Sequence, residues 1–411
     1  MLIQTNSSRR RFLRSSIGGA AAIGIGATLP QCFSQAASAS TTGERILVVV
    51  QMSGGNDGLN TVIPYKNDDY RAARPKLGVP IGNVLKLDDD TGFHPSMTGV
   101  YDLYQANKFT VVRSVGYEQP NRSHFESMDI WHTCRRKDQP RPDGWLGRFL
   151  DKKQVVAGGD VPALHLGHEQ QPFAVASTHV RVPTVKELAE FQLRGSDKQS
   201  LRMLLEENKL TAVDSGSNDL LDFLQSSTSS AIAASKRVTD AAQSYLSDVK
   251  YPETELGKKL RVVAQLIDAG LTTRVYYVQH DGFDTHAQQA QTHSVLLRQW
   301  SDAVGALVRD LSNHNHDQRV CVMTFSEFGR RVSENASEGT DHGAAGPMFL
   351  CGGGVKSGLV GSPPNLTDLQ EGDLKHEYDF RQVYASVLKD WLGTDPTVIL
   401  GDSYNPLPLF A

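Results

Sequence analysis

The sequence predicts an α/β protein with a mostly parallel central sheet, helices on both faces and an inserted cap region. Apolar, β-branched runs typical of buried strands alternate along the chain with segments whose apolar residues recur at helical spacing. Three of these runs are each followed by an acidic or Asp-His cluster. In an open α/β sheet, such positions beyond the carboxyl ends of the strands converge on one crevice. The pattern therefore predicts both the fold class and the place of a site.

The predicted strands are short apolar runs bounded by glycine or polar residues. They cover Arg45–Met52, Phe109–Val115, Leu271–Gln279, Arg319–Phe325 and Gly346–Leu350. Strands with so few polar positions are typical of a parallel sheet that is covered on both faces.

Helices are predicted where apolar residues recur every three or four positions. They cover Thr228–Leu246, Glu253–Ala269, His293–Leu311 and Phe380–Leu392. Gly393 is expected to stop the last helix, and Asp379 with Gln382 resembles a capping box at its start.

The first 39 residues read as an export signal rather than as part of the fold. A twin arginine at Arg9-Arg10 precedes a weakly apolar stretch, and Ala37-Ser38-Ala39 supplies a small-residue cleavage site. We therefore expect export through the twin-arginine translocation machinery to the periplasm or the medium. The remaining domain, residues 43–411, exceeds the usual size of a single core, and an insertion is expected at about residues 132–250.

Composition excludes some classes of protein. Without the signal, 38 basic and 46 acidic residues remain, a formal net charge of about −8, which argues against a nucleic-acid binder. No later segment reaches about 18 consecutive apolar residues, so no transmembrane segment is predicted in the mature chain. Cys134, Cys321 and Cys351 are too few for a disulfide framework.

Aspartate and histidine side chains after three of the predicted strands form the candidate metal ligands. They are Asp57, Asp284, His286, Asp341 and His342. Because residues i and i+2 of an extended segment point to the same side, Asp284 and His286 can face one cation. Such oxygen and nitrogen donors suit Zn²⁺, Mn²⁺, Mg²⁺ or Ca²⁺ to different degrees, so the divalent metal is not identified.

Each candidate also has a plainer interpretation. Asp57 is equally compatible with a turn aspartate that bonds its own backbone, and Asp284 with a helix cap. Asp341-His342 also fits a polar surface loop. Glu327 is a ligand, an orienting group or the partner of Arg330 in an ion pair.

Ser123 and Arg122 are the candidate catalytic residues. A metal can lower the pKa of a serine hydroxyl, and a guanidinium next to it can bind an anionic oxygen. Because neighbouring residues rarely form a direct Ser-His pair, His124 is not expected to act as a simple base for Ser123. The plainer interpretation of Ser123 is a helix N-cap. His376 is a further candidate ligand, whereas His94 and His132 are expected to be structural.

Several ordered motifs resemble those of DUF1501 proteins. They are Leu47–Asn60, Arg122–Phe125, Gly282–His286, Ser326–Arg330, Gly339–Gly343, Asp379–Tyr384 and Trp391–Gly393. That family looks like a branch of the alkaline phosphatase superfamily, whose relatives include sulfatases and cofactor-independent phosphoglycerate mutases. The resemblance implies an alkaline phosphatase-like three-layer sandwich with a two-metal site at the strand ends.

The resemblance also implies roles for individual residues. Asp57, Asp341 and His342 would match the ligands of one metal, and Asp284 and His286 those of the other, with His376 as a last ligand. Ser123 would match the nucleophile. The superfamily usually spaces the second pair by four positions, whereas Asp284 and His286 are two apart.

Two hypotheses of different classes follow. The first is an exported metal-dependent hydrolase of phosphate or sulfate esters, acting on an anionic ester substrate. The second is a non-catalytic envelope or polysaccharide-binding protein on the same scaffold, because fold alone does not fix function.

Overall fold

A nine-stranded sheet forms the centre of the computed structural model, which describes residues 44–152, 160–185 and 245–411. The strands in these ranges are β1 Ile46–Ser53, β2 Val62–Ile63, β3 Leu85–Lys86, β4 Gly92–Phe93, β5 Phe109–Gly116, β6 Ala163–Leu166, β7 Thr184–Val185, β8 Val275–Asp281, β9 Val320–Ser326, β10 Gly346–Cys351, β11 Gly358–Val360, β12 Leu369–Gln370, β13 Asp373–Leu374 and β14 Tyr378–Asp379. The helices are α1 Gly58–Thr61, α2 Asp68–Ala73, α3 Thr98–Gln105, α4 His124–Thr133, α5 Trp145–Lys152, α6 Glu255–Asp268, α7 Gln289–Asn313, α8 Phe380–Ser386 and α9 Pro396–Leu400.

The sheet is mostly parallel, as predicted. Its strand order is β11-β5-β10-β9-β1-β8-β6-β7, and β14 pairs with β5. Strand β1 lies at the centre and runs parallel to both β8 and β9, so that Val50 is level with Val278 and Thr324. Strand β10 is antiparallel to its neighbours β5 and β9. The carboxyl ends of β1, β5, β8 and β9 therefore share one edge.

Helices cover both faces of the sheet, because successive side chains of a strand point to opposite sides. Ile46, Val48 and Val50 of β1 pack in a core with α3, α6 and α7. Leu47 and Val49 pack in a second core with α4, α5 and α8. This division confirms the expected layers of helix, sheet and helix.

The predicted strands agree with the structure to within one or two residues except at the start of β8. That strand begins at Val275 and not at Leu271. The backbone N–H of Thr272 donates to Asp160 Oδ2, and the hydroxyl of Thr273 donates to the carbonyl of Val161. These bonds turn the segment towards residues 160–161 before the ladder with β1 begins.

Part of the expected insertion belongs to the central sheet. Strands β6 and β7, within the predicted insertion at 132–250, extend the sheet beyond β8. Strand β6 is only four residues long, too short to stand out as an apolar run. The signal at 1–39 and most of the predicted helix Thr228–Leu246 lie outside the described residues.

The last predicted helix consists of two parts. Helix α8 begins with the expected capping box of Asp379 and Gln382 and continues as a π-helix over Val387–Trp391. Gly393, with φ +67°, follows it. In the described ranges, no helix combines the length and the apolar character needed to cross a bilayer. Cys134, Cys321 and Cys351 are buried and unpaired.

Candidate metal centre

Four loops meet at the shared strand edge. They follow β1, β5, β8 and β9, and they carry the acidic and histidine motifs of the sequence. Gly54, with φ +117°, lets two of them approach, since a Cβ atom there would lie 2.4 Å from the backbone nitrogen of Asp284. The loops after β1 and β8 are therefore held closer than any side chain at position 54 would permit.

Arg330 ties these loops together. Its guanidinium is fully buried and donates to the carbonyls of Gly54, Gly55, Phe283 and Thr340. It also donates to Asp284 Oδ1 at 2.7 Å. Because one planar fork with five N–H groups satisfies backbone oxygens from three loops, it fixes their relative positions.

His124, Asp284 and His342 form a compact cluster, which we call the triad. Each offers one ligand atom, and these atoms lie within 4.8 Å of one another. His124 Nε2 lies 3.4 Å from Asp284 Oδ2, and His342 Nε2 lies 3.2 Å from Asp284 Oδ1. His286 adjoins the triad, with its Nε2 3.0 Å from Asp284 Oδ1.

His124 is oriented by Glu327. Its Nδ1 lies 2.9 Å from Glu327 Oε1, and this contact raises the pKa of His124 even though burial opposes the change. The Glu327 side chain is 2 % exposed and also accepts the backbone N–H of Gly54. With Nδ1 donating to the carboxylate, a neutral His124 presents its lone pair at Nε2. That atom is buried and has no hydrogen-bond partner among residues 44–152, 160–185 and 245–411.

His342 and His286 are held in the same way. His342 Nδ1 lies 2.7 Å from the carbonyl oxygen of Arg122, and His286 Nδ1 lies 3.3 Å from Asp341 Oδ1. Both oxygens only accept, so both Nδ1 atoms donate, and each neutral ring carries its lone pair at Nε2. The two Nε2 atoms face each other at 2.8 Å. An electron-pair acceptor between them would relieve this contact.

Asp284 is ionised. Burial raises its pKa, but the hydrogen bond from Arg330 and the positive charge of its guanidinium outweigh burial and lower the pKa to about 2. The carboxylate is therefore charged at any physiological pH, and its side chain remains 49 % exposed. It is not the N-cap of α7, which begins five residues later at Gln289.

The donor set fits a divalent cation. Three imidazole nitrogens surround one carboxylate, and each ring is fixed through its other nitrogen by an oxygen, the arrangement that orients histidine ligands in metalloproteins. The buried Nε2 of His124 finds no hydrogen-bond partner in the part of the chain that the structure describes, and this atom needs a ligand. Imidazole suits Zn²⁺ better than it suits Mg²⁺ or Ca²⁺, which prefer oxygen.

Asp57, a predicted ligand, lies apart from the triad and already has partners of its own. Its carboxylate forms an ion pair with Arg74 at 2.5 Å, with both side chains 0 % exposed. It also accepts from Gln289 and from the backbone N–H of Asn60, which makes it the N-cap of α1. Among the described residues it contacts no member of the triad, and Arg74 neutralises its charge.

Arg122 contributes its backbone and not its charge. Its carbonyl accepts from His342, while its guanidinium donates to Asp373 Oδ2 at 2.6 and 2.9 Å and to Glu371. Two carboxylates therefore accept from Nε and Nη2 of Arg122, and its binding of an anionic oxygen stays a prediction.

Ser123, Asp341 and His376 take different positions. Ser123 is the exposed N-cap of α4, and its hydroxyl makes no hydrogen bond within the described ranges. Asp341 orients His286 and is itself held by Asn335 at 3.1 Å. His376 packs beside Gly116, and no hydrogen bond joins it to a described residue of the triad, so the structure gives no support for it as a ligand.

Two roles were not apparent in the sequence. His124 was weighed as a base, and the motif Arg122–Phe125 directly after β5 was the signal that could have placed it at the strand edge. Of the roles that the sequence leaves open for Glu327, the structure shows a contact with His124 Nδ1 that orients the ring. Arg74, the partner of Asp57, lies in an unremarkable polar segment, and no sequence signal pointed to it.

Solved structures show distant likenesses. One is the PsFucS1 sulfatase from Pseudoalteromonas sp., with 11 % identity, a TM-score of 0.39, and coverage of 89 % of this chain and 71 % of that one. The C-terminal periplasmic domain of EcEptC from Escherichia coli has 11 % identity, a TM-score of 0.39 and 88 % coverage of each chain. TAB5 alkaline phosphatase has 11 % identity, a TM-score of 0.34, and coverage of 75 % and 91 %.

A search of the curated proteins found no match. The family model described as "Protein of unknown function (DUF1501)" matches residues 44–399, which include all four loops of the candidate centre. The chain therefore belongs to the DUF1501 family.

Proposed function

We propose that this protein is an exported, metal-dependent hydrolase of phosphate or sulfate esters. One observation carries the proposal: three histidines, each fixed through Nδ1 by an oxygen, direct Nε2 towards the ionised carboxylate of Asp284. A histidine that only supports the fold needs no such convergence of lone pairs. Asp284, His124 and His342 would hold the cation, and His286 would join them.

A cation held there would stabilise negative charge on an ester oxygen and lower the pKa of a nearby hydroxyl. Of the metals considered from the sequence, Zn²⁺ or Mn²⁺ suits this donor set better than Mg²⁺ or Ca²⁺. Glu327 and Asp341 orient the histidines, and Arg330 holds the loops in register.

Ser123 remains the proposed nucleophile. It precedes His124 directly, it is exposed, and its hydroxyl is unengaged among the described residues. Attack by its oxygen on the ester phosphorus or sulfur would form a serine ester and release the alcohol, and water would then hydrolyse that serine ester.

Export is part of the proposal and rests on the twin arginine at Arg9-Arg10 and the Ala37-Ser38-Ala39 site. Replacing both arginines by lysine, Arg9→Lys with Arg10→Lys, should leave the precursor in the cytoplasm. Fractionation of cells that express the wild-type and variant chains would measure this, and equal export of both would contradict the pathway.

The direct test starts with elemental analysis of the purified protein. We expect close to one divalent ion or more per chain, and hydrolysis of an aryl phosphate or aryl sulfate that a chelator abolishes. Ser123→Ala should abolish turnover while the circular dichroism spectrum and metal content stay unchanged. An unchanged rate for that variant would remove Ser123 as nucleophile but leave the metal centre in place.

A second candidate is a non-catalytic binding protein for an envelope partner or a polysaccharide. The observation that favours it is the pairing of Arg122 with Asp373 and Glu371, which offsets the charge of the guanidinium expected to bind the ester. A metal-free protein that is indifferent to chelators and turns over no ester would favour this candidate over the hydrolase.

A further inference from the structure

An open cleft of about 530 Å³ begins at the triad, since His124 and Asp284 both line it. Beyond these two residues, its walls are made mainly of amide, aromatic and acidic side chains. They include Gln170, Gln171, Gln279, Phe125, Phe173 and Asp281. A substrate whose reactive group lies at the triad would therefore place the rest of the molecule in this cleft.

Phe125 is the unusual member of the lining. It follows His124 in the first turn of α4, and 88 % of it is exposed. The opposite side of α4 packs into the core through Ile130 and Trp131. Among the large apolar residues that are exposed in the described ranges, Phe125 is the most exposed and the only aromatic one. The ring of Phe125 is therefore not packed in the core, and its faces are available to contact a ligand.

The charge of the cleft disfavours a polyanion. No lysine or arginine is among the described residues that line it. Asp129 reaches Arg141, which lies outside the lining, at 3.5 Å. Asp281 is exposed at the end of β8 and forms no ion pair with a described residue. A ligand with many negative groups would face these carboxylates without a compensating cation.

The same lining suits a neutral polyol. Glutamine amides both donate and accept, and aspartate oxygens accept from hydroxyl groups. Gln171 already uses its amide nitrogen on the carbonyl of Val182, whereas the exposed Gln170 side chain makes no bond in the described part of the chain. An aromatic face beside hydrogen-bonding groups matches a sugar, which has an apolar ring face and a rim of hydroxyls.

We propose that the cleft binds an uncharged sugar ring, so that the substrate is a neutral glycan carrying a phosphate or sulfate ester. The ester part of this statement rests on the proposed function, whereas the sugar site stands on the cleft alone. Phe125 packs against the ring, and Gln170 and Asp281 bind its hydroxyls.

Binding can be tested without turnover. Saturation-transfer NMR and calorimetry would measure the purified mature protein with neutral malto-, cello- and galacto-oligosaccharides and with a heparin tetrasaccharide as the polyanion. We expect saturable binding of at least one neutral oligosaccharide, weakened about threefold or more by Phe125→Ala, the effect of losing an aromatic contact. Val398→Ala, at an exposed apolar residue outside the cleft lining, is the matched control and should bind as the wild type does.

Three results would overturn the sugar site: binding of none of the neutral oligosaccharides, equal binding by Phe125→Ala and wild type, or preference for heparin. A parallel assay with aryl esters separates the two proposals. Turnover of an aryl ester without sugar binding removes the sugar site and leaves the hydrolase. Sugar binding that depends on Phe125, with no ester turned over, supports the cleft and removes the hydrolase.

Discussion

Asp57 and Asp284 occupy similar positions in the chain, but their side chains differ in burial and in partners. Each follows a parallel strand of the central sheet in a glycine-containing loop. Asp57 is buried against Arg74, which neutralises it, and it also caps a helix. Asp284 keeps half of its side chain exposed and faces three histidine nitrogens. Each carboxylate accepts from a buried arginine, so the difference lies in exposure: the half-exposed Asp284 stays open to a cation, whereas Asp57 is fully enclosed with Arg74.

The arginines of the two regions differ as well. Arg74 donates to Asp57 and to the carbonyls of Val332 and Arg331, so its pairing is deeply buried. Arg330 donates mainly to backbone carbonyls and makes one hydrogen bond to Asp284. Arg74 therefore stabilises a buried ion pair, whereas Arg330 holds together the loops that carry the triad. Substitutions in each region should therefore change different properties.

The largest expected effect is on stability at Asp57. Asp57→Asn leaves Arg74 buried without a counter-charge, and we expect the free energy of unfolding to fall by about 3–5 kcal/mol. Urea unfolding of metal-free protein would measure it. The control is Glu338→Gln in the exposed pair with Lys76, which should leave the free energy of unfolding nearly unchanged, since solvent screens such a pair. A small change in the free energy of unfolding of Asp57→Asn, or loss of metal from the folded variant, would contradict the difference between Asp57 and Asp284.

At Asp284, the expected effect is on metal binding. Asp284→Asn should weaken the affinity for Zn²⁺ by about 100-fold or more, since losing even an outer partner of a ligand costs about 10- to 100-fold. Competition with a chromogenic chelator would measure the affinity. Asp281→Asn, at an exposed aspartate at the end of the same strand, is the matched control. Equal affinities for the two variants would contradict the assignment.

A smaller loss is expected at Glu327, which contacts the triad only through His124. Glu327→Gln keeps the shape but removes the charge that orients and polarises the ring, so the affinity for Zn²⁺ should fall by about tenfold. The exposed Glu371→Gln, beside Arg122, should leave the affinity unchanged. A loss as large as that of Asp284→Asn would indicate that Glu327 is itself a ligand.

The last prediction concerns the pH dependence of stability at a buried histidine outside the triad. Burial lowers the pKa of His132 from 6.5 to about 3. The unfolded chain therefore binds a proton at pH values where the folded protein does not, and stability falls as the pH drops below 6.5 towards 3. One such group contributes about 1.4 kcal/mol per pH unit in this window. Denaturant unfolding curves from pH 6.5 to 4.5 would measure the free energy of unfolding of the wild type and of His132→Gln. We expect the decrease per pH unit to be smaller in the variant by that amount. An equal decrease in both proteins would contradict the burial of a neutral His132.

The sheet could be predicted because buried parallel strands are apolar throughout. The runs that became β1, β5, β8 and β9 were visible for this reason, and the short β6 was not. The capping box of Asp379 and Gln382 was also predictable, because it depends on contacts three residues apart. Asp284, His286, Asp341 and His342 lie together, as expected because the carboxyl ends of parallel strands coincide, and their role as ligands stays a prediction.

By itself, the sequence determined the layered α/β architecture, the edge of the sheet where chemistry is expected, and the membership of a family through ordered motifs. Only the tertiary structure decided which acidic residue is neutralised by Arg74, which histidine Glu327 orients, and where the guanidinium of Arg122 points. Local patterns follow from contacts between neighbours in the chain, whereas the state of a charged group depends on partners up to hundreds of residues away, such as Glu327 for His124.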